Sequence, residues 1–156
     1  MLHDPGSSAD LPLQLTCGGI AKVTRLTAAY PTSQFCALAG QSDWLIPALS
    51  VGGTGCITGV ANLYPRACVE MYDLYLAGKI EAAQKLQYTL SVSELGFGDG
   101  GINGTKWVVG ELLGYPEKSR DCRRPYPKFV DAEKRQWILK QVRALEADEA
   151  KLKRTA

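Results

Sequence analysis

Leu11-Pro12-Leu13-Gln14-Leu15-Thr16-Cys17-Gly18-Gly19-Ile20-Ala21-Lys22-Val23, residues 11–23, opens with a short apolar run, Leu11 to Cys17, that stops at two glycines and passes straight into a helical stretch. The helical stretch continues to Tyr30 and is stopped by Pro31, because a proline restricts the residue before it to extended conformations. The same unit recurs twice. Phe35 to Ala39 is a second apolar run, ended by Gly40, and Ser42 or Asp43 is placed to cap a helix over residues 44–51 that Gly52-Gly53 terminates. Cys56 to Val60 is a third run, followed by Asn62 and a helix over residues 65–77. Strands covered on both faces read as continuous apolar runs, and strand–turn–helix repeated in this way is the pattern of parallel β/α units. About five residues per run favours strand over helix.

Past Gly78 the pattern changes. Residues 79–95 are amphipathic, with Ile80, Ala83, Leu86 or Gln87, and Leu90 near helical spacing. A glycine-dense segment, residues 96–104, is expected to break that helix before a short one over residues 105–113. Residues 115–126, with Pro116, Arg123, Arg124 and Pro125, read as a loop. Asp131 caps a last helix in which Ile138, Val142, Leu145 and Leu152 form one stripe. Three β/α units are therefore followed by three helices. Three units cannot close a barrel of about 250 residues, and an open three-stranded parallel sheet leaves two unpaired edges that another chain would have to cover.

Composition narrows the function. The chain has 156 residues, 46% of them hydrophobic and 22% charged, with a net charge of +2. That describes a globular protein, and the charge is too small to indicate nucleic-acid binding. No window approaches the roughly 20 apolar residues of a membrane span, and the polar opening lacks the features of a secretory signal. A cytoplasmic protein is expected. Five cysteines with no Cys-x-x-Cys pair argue against a metal site. Cys17, Cys36 and Cys56 sit in apolar runs and are expected to be buried free thiols. His3, in the leader, is the only histidine, which removes Ser-His-Asp and Cys-His catalysis.

Two glycine clusters resemble phosphate loops and fail on context. Residues 96–101 follow a helix and lack the Gly-Lys-Ser/Thr ending, and residues 52–55 join a helix to a strand. The last helix interleaves its seven Lys and Arg residues with Glu133, Glu146, Asp148 and Glu149, so it reads as a solvated face and not as a membrane or nucleic-acid helix.

The segment from Leu15 to Leu26 resembles the sixth strand, loop and helix of the dihydrodipicolinate synthase and N-acetylneuraminate lyase family. Leu38-Ala39-Gly40-Gln41-Ser42-Asp43 is similar to its seventh strand, and residues 52–62 to its eighth. Residues 78–87, Gly104-Thr105-Lys106 and Cys122-Arg123-Arg124-Pro125 resemble landmarks of its C-terminal helical extension. The likeness is nearest to members acting on longer 2-keto acids, the 4-hydroxy-2-oxoglutarate and keto-deoxy-sugar-acid aldolases. It implies the last three units of an incomplete (β/α)₈ TIM barrel over residues 13–78, a three-helix extension over residues 79–156, and an unrelated leader over residues 1–12.

The resemblance also implies a chemistry. Family members are class I lyases in which a strand-six lysine forms a Schiff base with the 2-keto carbon, and the protonated imine accepts electrons as a carbon–carbon bond breaks. No cofactor is implied. The substrate is a pyruvate-type keto acid, and assembly is as a homo-oligomer. Here the lysine position is Gln14, whose amide lone pair is delocalised and forms no imine. The family's strand-five tyrosine and strand-two hydroxyl loop have no counterpart, as in a truncated gene product or a remnant, so the chain is expected to be inactive alone. The alternative is a non-catalytic fragment that only associates with other barrel subunits. Residues placed to line the substrate site are Thr16, Cys17, Gly40, Gln41 and Ile57, and in the family backbone groups near the positions of Gly40 and Ile57 approach the keto acid. Lys22 and Lys106 read as solvated lysines.

Overall fold

A computed structural model describes residues 11–152, so His3 and the first ten residues of the polar leader lie outside the described residues. The elements are β1 (Leu11–Leu15), α1 (Ile20–Ala29), β2 (Phe35–Ala39), α2 (Leu45–Ser50), β3 (Gly55–Cys56), α3 (Pro65–Leu76), α4 (Ile80–Leu112), α5 (Ala132–Val142) and α6 (Glu146–Lys151). The strands form one parallel sheet in the order β1-β2-β3. Leu15 stands beside Ala39, and Ala39 beside Cys56, so the three carboxyl ends finish level. Among the described residues, β1 and β3 each have one neighbour. Pro12, opposite Cys36 in β1, is thus on an edge, where a strand tolerates proline. The strand begins at Leu11, two residues before the expected start of barrel-like sequence.

Three expectations need correction. The third strand, expected over residues 56–60, is only Gly55–Cys56, and Val60 opens a 3₁₀ turn, Val60–Asn62. The Thr58 hydroxyl accepts the Val60 N–H at 3.1 Å, which bends the chain out of the sheet. Neither Ser42 nor Asp43 caps α2, because Trp44 holds the cap position and no side chain bonds there. As expected, the glycine-dense segment breaks the helix: α4 is kinked at Gly101, at φ 59° and ψ −164°, which separates residues 80–100 from residues 102–112. Ile80, placed on the buried stripe from its spacing, is exposed.

The glycines serve packing. A Cβ on Gly96 would stand 2.9 Å from Val142 Cγ2, one on Gly100 2.9 Å from Ile138 Cδ1, and one on Gly104 3.2 Å from the same atom. Spaced four apart on one face of α4, they let α5 lie against its backbone. The stripe of α5 is as expected: Ile138, Val142 and Leu145 are wholly buried, and the Asp131 carboxylate accepts the Lys134 N–H at 2.9 Å. These side chains join Val60, Met71, Leu90, Phe97 and Trp107 in the main core. A second, smaller cluster of Leu15, Val23 and Ala37 holds α1 to the sheet. Glu149 of α6 accepts the first-turn N–H groups of Arg66 and Ala67 at 3.2 and 2.7 Å, supplying from a distance the cap that α3 lacks locally.

Candidate functional site

Parallel strands place their carboxyl ends together, and binding residues of barrel folds collect there. A cavity of about 790 Å³ opens at that end of this sheet. Thr16 follows β1, Gly40 and Gln41 follow β2, and Gly59 and Asn62 follow β3; α4 forms the opposite wall through Glu94, Phe97, Thr105 and Lys106. Gly40 is required by a close approach of backbones: a Cβ there would lie 2.6 Å from Thr16 Cα and 2.7 Å from the Leu15 carbonyl oxygen. The ends of β1 and β2 therefore touch main chain to main chain.

The loops are tied to α4 by a polar row. Gln87, Ser91 and Glu94 are spaced four and three apart, one face of a helix. Gln87 Nε2 donates to the Ser42 carbonyl at 2.8 Å while its Oε1 accepts the Ile46 N–H at 3.1 Å. The Ser91 hydroxyl donates to the Asp43 carbonyl at 3.3 Å. Glu94, 3% exposed, accepts at Oε2 from the Ser42 N–H at 3.0 Å, from the Ser42 hydroxyl, and from the Thr58 hydroxyl at 2.5 Å. A buried carboxylate is tolerated when donors surround it. Burial and the nearby Glu94 charge push the Asp43 carboxyl above its usual range.

Of the five residues placed at the site from sequence, Thr16, Gly40 and Gln41 line this cavity. Cys17 and Ile57 do not share its wall. Ile57 is 54% exposed and lines a separate groove of about 460 Å³ between β3 and α3, because the chain turns away directly after the short third strand. Cys17 is exposed, contrary to the expectation of a buried thiol, and Lys22 Nζ donates to its Sγ at 3.1 Å. That contact, with the Gly19 N–H, lowers the Cys17 pKa. Cys36 and Cys56 are half-buried and Cys68 is buried, and burial pushes Cys56 up to about 11 and Cys68 up to about 12. Gln14 is half-buried in β1, two positions before Thr16. Among the described residues no cluster of His, Cys, Asp and Glu could hold a metal ion, and no helix is long and apolar enough to cross a membrane.

Sequence reasoning missed Glu94; Lys106 is exposed, as a solvated lysine is expected to be, at the rim of the same cavity. The available signal was the row Gln87, Ser91, Glu94: three polar residues on the face of an amphipathic helix that also carries Leu90 and Phe97.

Comparison with known proteins agrees with this architecture. The model of the dihydrodipicolinate synthetase family matches residues 13–145. A Coccidioides immitis protein assigned by name to mitochondrial 4-hydroxy-2-oxoglutarate aldolase is 34% identical over 143 residues, covering 86% of this chain and 45% of that protein. L-threo-3-deoxy-hexylosonate aldolase of Hypocrea jecorina is 34% identical over 109 residues, covering 65% of this chain and 35% of that enzyme. Among solved structures, a dihydrodipicolinate synthase family protein from Coccidioides immitis superposes with a TM-score of 0.78 at 33% identity, over 92% of this chain and 48% of that one. The 4-hydroxy-tetrahydrodipicolinate synthase of Methylacidiphilum fumariolicum SolV shares the fold, with a TM-score of 0.78 at 22% identity over 91% of this chain and 46% of that one. The chain thus spans about half the length of the relatives it matches. With its three parallel β/α units and helical extension in the order of those relatives, it belongs to the dihydrodipicolinate synthetase family of lyases.

Proposed function

We propose that this chain carries the C-terminal half of a class I lyase site for 2-keto acids with pyruvate as a component, and that it holds such an acid without forming the imine itself. The cavity at the strand ends carries this reading. Its wall combines Thr16, Gly40 and Gln41, three of the residues placed there from sequence, with apolar surface suited to a small carbon skeleton. Covalent chemistry in this family needs an amine at position 14, and Gln14 has none. The reaction of such a site draws on no cofactor, because the protonated imine formed on a lysine is itself the electron sink. Titration of the isotope-labelled chain with pyruvate, followed by amide NMR, tests the proposal. Shifts centred on Thr16, Gly40 and Gln41 are expected; saturation with no shift at these three would contradict it.

A second reading, a non-catalytic subunit that associates with other barrel chains, is favoured by one observation. Ile57, directly after β3, and Val69 of α3 are both more than half exposed and line one groove with Gly55 and Cys56 of β3, a strand with one neighbour among the described residues. Analytical ultracentrifugation distinguishes them: this reading expects a dimer or larger assembly that Val69→Lys disperses, and a monomer at all concentrations counts against it. A cytoplasmic location belongs to the same proposal, since free cysteines suit a reducing compartment. Cell fractionation tests it directly, because the Coccidioides immitis relative carries a mitochondrial name.

A further inference from the structure

Cys17 and Lys22 meet where β1 turns into α1, with Lys22 Nζ 3.1 Å from Cys17 Sγ. The turn between them sets this contact. Gly18 stands at φ 65°, its N–H reaches back to the Leu15 carbonyl, and the Lys22 N–H donates to the Gly19 carbonyl at 2.8 Å. Gly19 clears the path: a Cβ there would lie 3.7 Å from Lys22 Cγ and Cδ and 3.9 Å from Cε, so the lysine stem runs over the glycine toward the sulfur. The usual partner of a surface ammonium is a carboxylate, yet among the described residues none of the ion pairs involves Lys22. Cys17 is a free thiol, and both side chains are exposed, so a small oxidant reaches them. The ammonium and the Gly19 N–H favour the thiolate, the form that oxidants attack. The turn also borders the strand-end cavity, since Thr16 precedes it and a Cβ on Gly18 would stand 3.9 Å from Gln41 Oε1.

We infer that Cys17 and Lys22 are a peroxide-driven modification site, at which a sulfur–nitrogen bond ties the end of β1 to the first turn of α1. The Cys17 thiolate attacks one oxygen of hydrogen peroxide and the O–O bond breaks. Sulfur becomes a sulfenic acid, and the leaving hydroxide takes a proton from the Lys22 ammonium to form water. Lys22 is then a neutral amine in contact with an electrophilic sulfur. Its lone pair attacks, the S–N bond forms, the S–O bond breaks, and the departing hydroxide takes a proton from nitrogen to leave as a second water. Sulfur has given up two electrons and the peroxide has received both. Sulfenic acids are ordinarily resolved by a second thiol, but the other cysteines of the sheet stand elsewhere: Cys36 pairs with Pro12 at the far end, and Cys56 is in β3, separated from β1 by β2. The amine takes that part here. It spares the sulfur from further oxidation, and a thiol reductant reverses the bond. This clasp at the cavity's border forms whether or not the cavity holds a keto acid.

The test treats the whole reduced chain with hydrogen peroxide at neutral pH, blocks remaining thiols with iodoacetamide, and digests with chymotrypsin for mass spectrometry. The wild-type peptide holding residues 17 and 22 is expected to be lighter by two hydrogens and to give no fragments from breaks between them. Dithiothreitol is expected to restore its full mass and its alkylation. Lys22→Met and Lys22→Arg are expected to lose the link while keeping the wild-type melting temperature. In both variants dimedone, which traps sulfenic acids, is expected to label Cys17, and longer exposure to carry it to the irreversible sulfinic acid. A wild-type Cys17 that stays a free thiol, or is oxidised with no bond to Lys22, overturns the inference. So does a link that persists in either variant, which would place the nitrogen elsewhere, or a linked peptide that retains an oxygen, which would exclude a direct sulfur–nitrogen bond.

Discussion

The two halves of this molecule are held together very differently. On the helical side, α3, α4 and α5 share a core in which Met71, Leu90, Val108, Ile138, Val142 and Leu145 are wholly buried. On the strand side, the sheet has Leu15, Val23 and Ala37 as its fully packed cluster, two open edges among the described residues, and a third strand of two residues. The helical extension carries its own hydrophobic stabilisation, whereas the sheet leans on it through Gln87, Ser91 and Glu94. The cavity lies on the seam. Its shape depends on the strong half holding the loops of the weak one.

Removing a core side chain from the strong half should have the largest effect. Ile138→Ala opens a void against the glycine stripe of α4 and is expected to cost about 3–4 kcal/mol, read as a drop in the denaturant midpoint. Val23→Ala, in the small cluster, should cost about 2 kcal/mol or less and act on the strand amides first. If the two changes destabilise equally, or Val23→Ala unfolds the helices as well, the contrast between the halves is wrong.

Gly40→Ala probes the seam. The added methyl has no room beside Thr16 and Leu15, so a loss of about 1–3 kcal/mol is expected, together with weaker pyruvate binding. Gly101→Ala meets no neighbouring atom but forces a side chain into the left-handed region, at about 1–2 kcal/mol. Its expected effect is on the bend of α4. Calorimetric melting of the two variants ranks these costs.

Alkaline pH should loosen the molecule around α3 and the end of β3. Burial raises Cys56 to about 11, Cys68 to about 12 and Tyr64 to about 12. Because the folded state holds these protons more tightly than the unfolded chain, their stabilisation is complete below the unfolded values. It is lost as pH rises from about 9 toward 12. Melting temperature should fall over that window, and Cys68→Ala should flatten part of the slope. A smaller effect, without consequence for stability, concerns Cys17. With Lys22 Nζ and the Gly19 N–H lowering its pKa, exposed Cys17 should be alkylated by iodoacetamide faster than the half-buried Cys36, and Lys22→Met should slow it. Equal rates at both cysteines would contradict this.

The parallel order, two of the three strands and the capped last helix were legible from residues 11–60 and Asp131 because short apolar runs ended by glycine leave few alternatives. The third strand was not, because its length is decided by Thr58 binding Val60 and Glu94, a contact with a helix 36 positions away. The break in α4 was legible from its glycine-dense segment; that Gly96, Gly100 and Gly104 also make room for α5 was not. Thr16, Gly40 and Gln41 could be placed because strand-end positions follow from the β/α repeat. Glu94 and Lys106 could not, since nothing local says which face of α4 closes over the sheet.

The proposed function, a keto acid held at the strand ends without an imine, turns on Gln14 in β1. The direct test is to treat the whole chain with pyruvate and borohydride and locate any adduct by peptide mass spectrometry, beside the Gln14→Lys variant. The wild-type chain should remain unmodified and the variant should be labelled at position 14. A reduced adduct on any lysine of the wild-type chain would contradict the account.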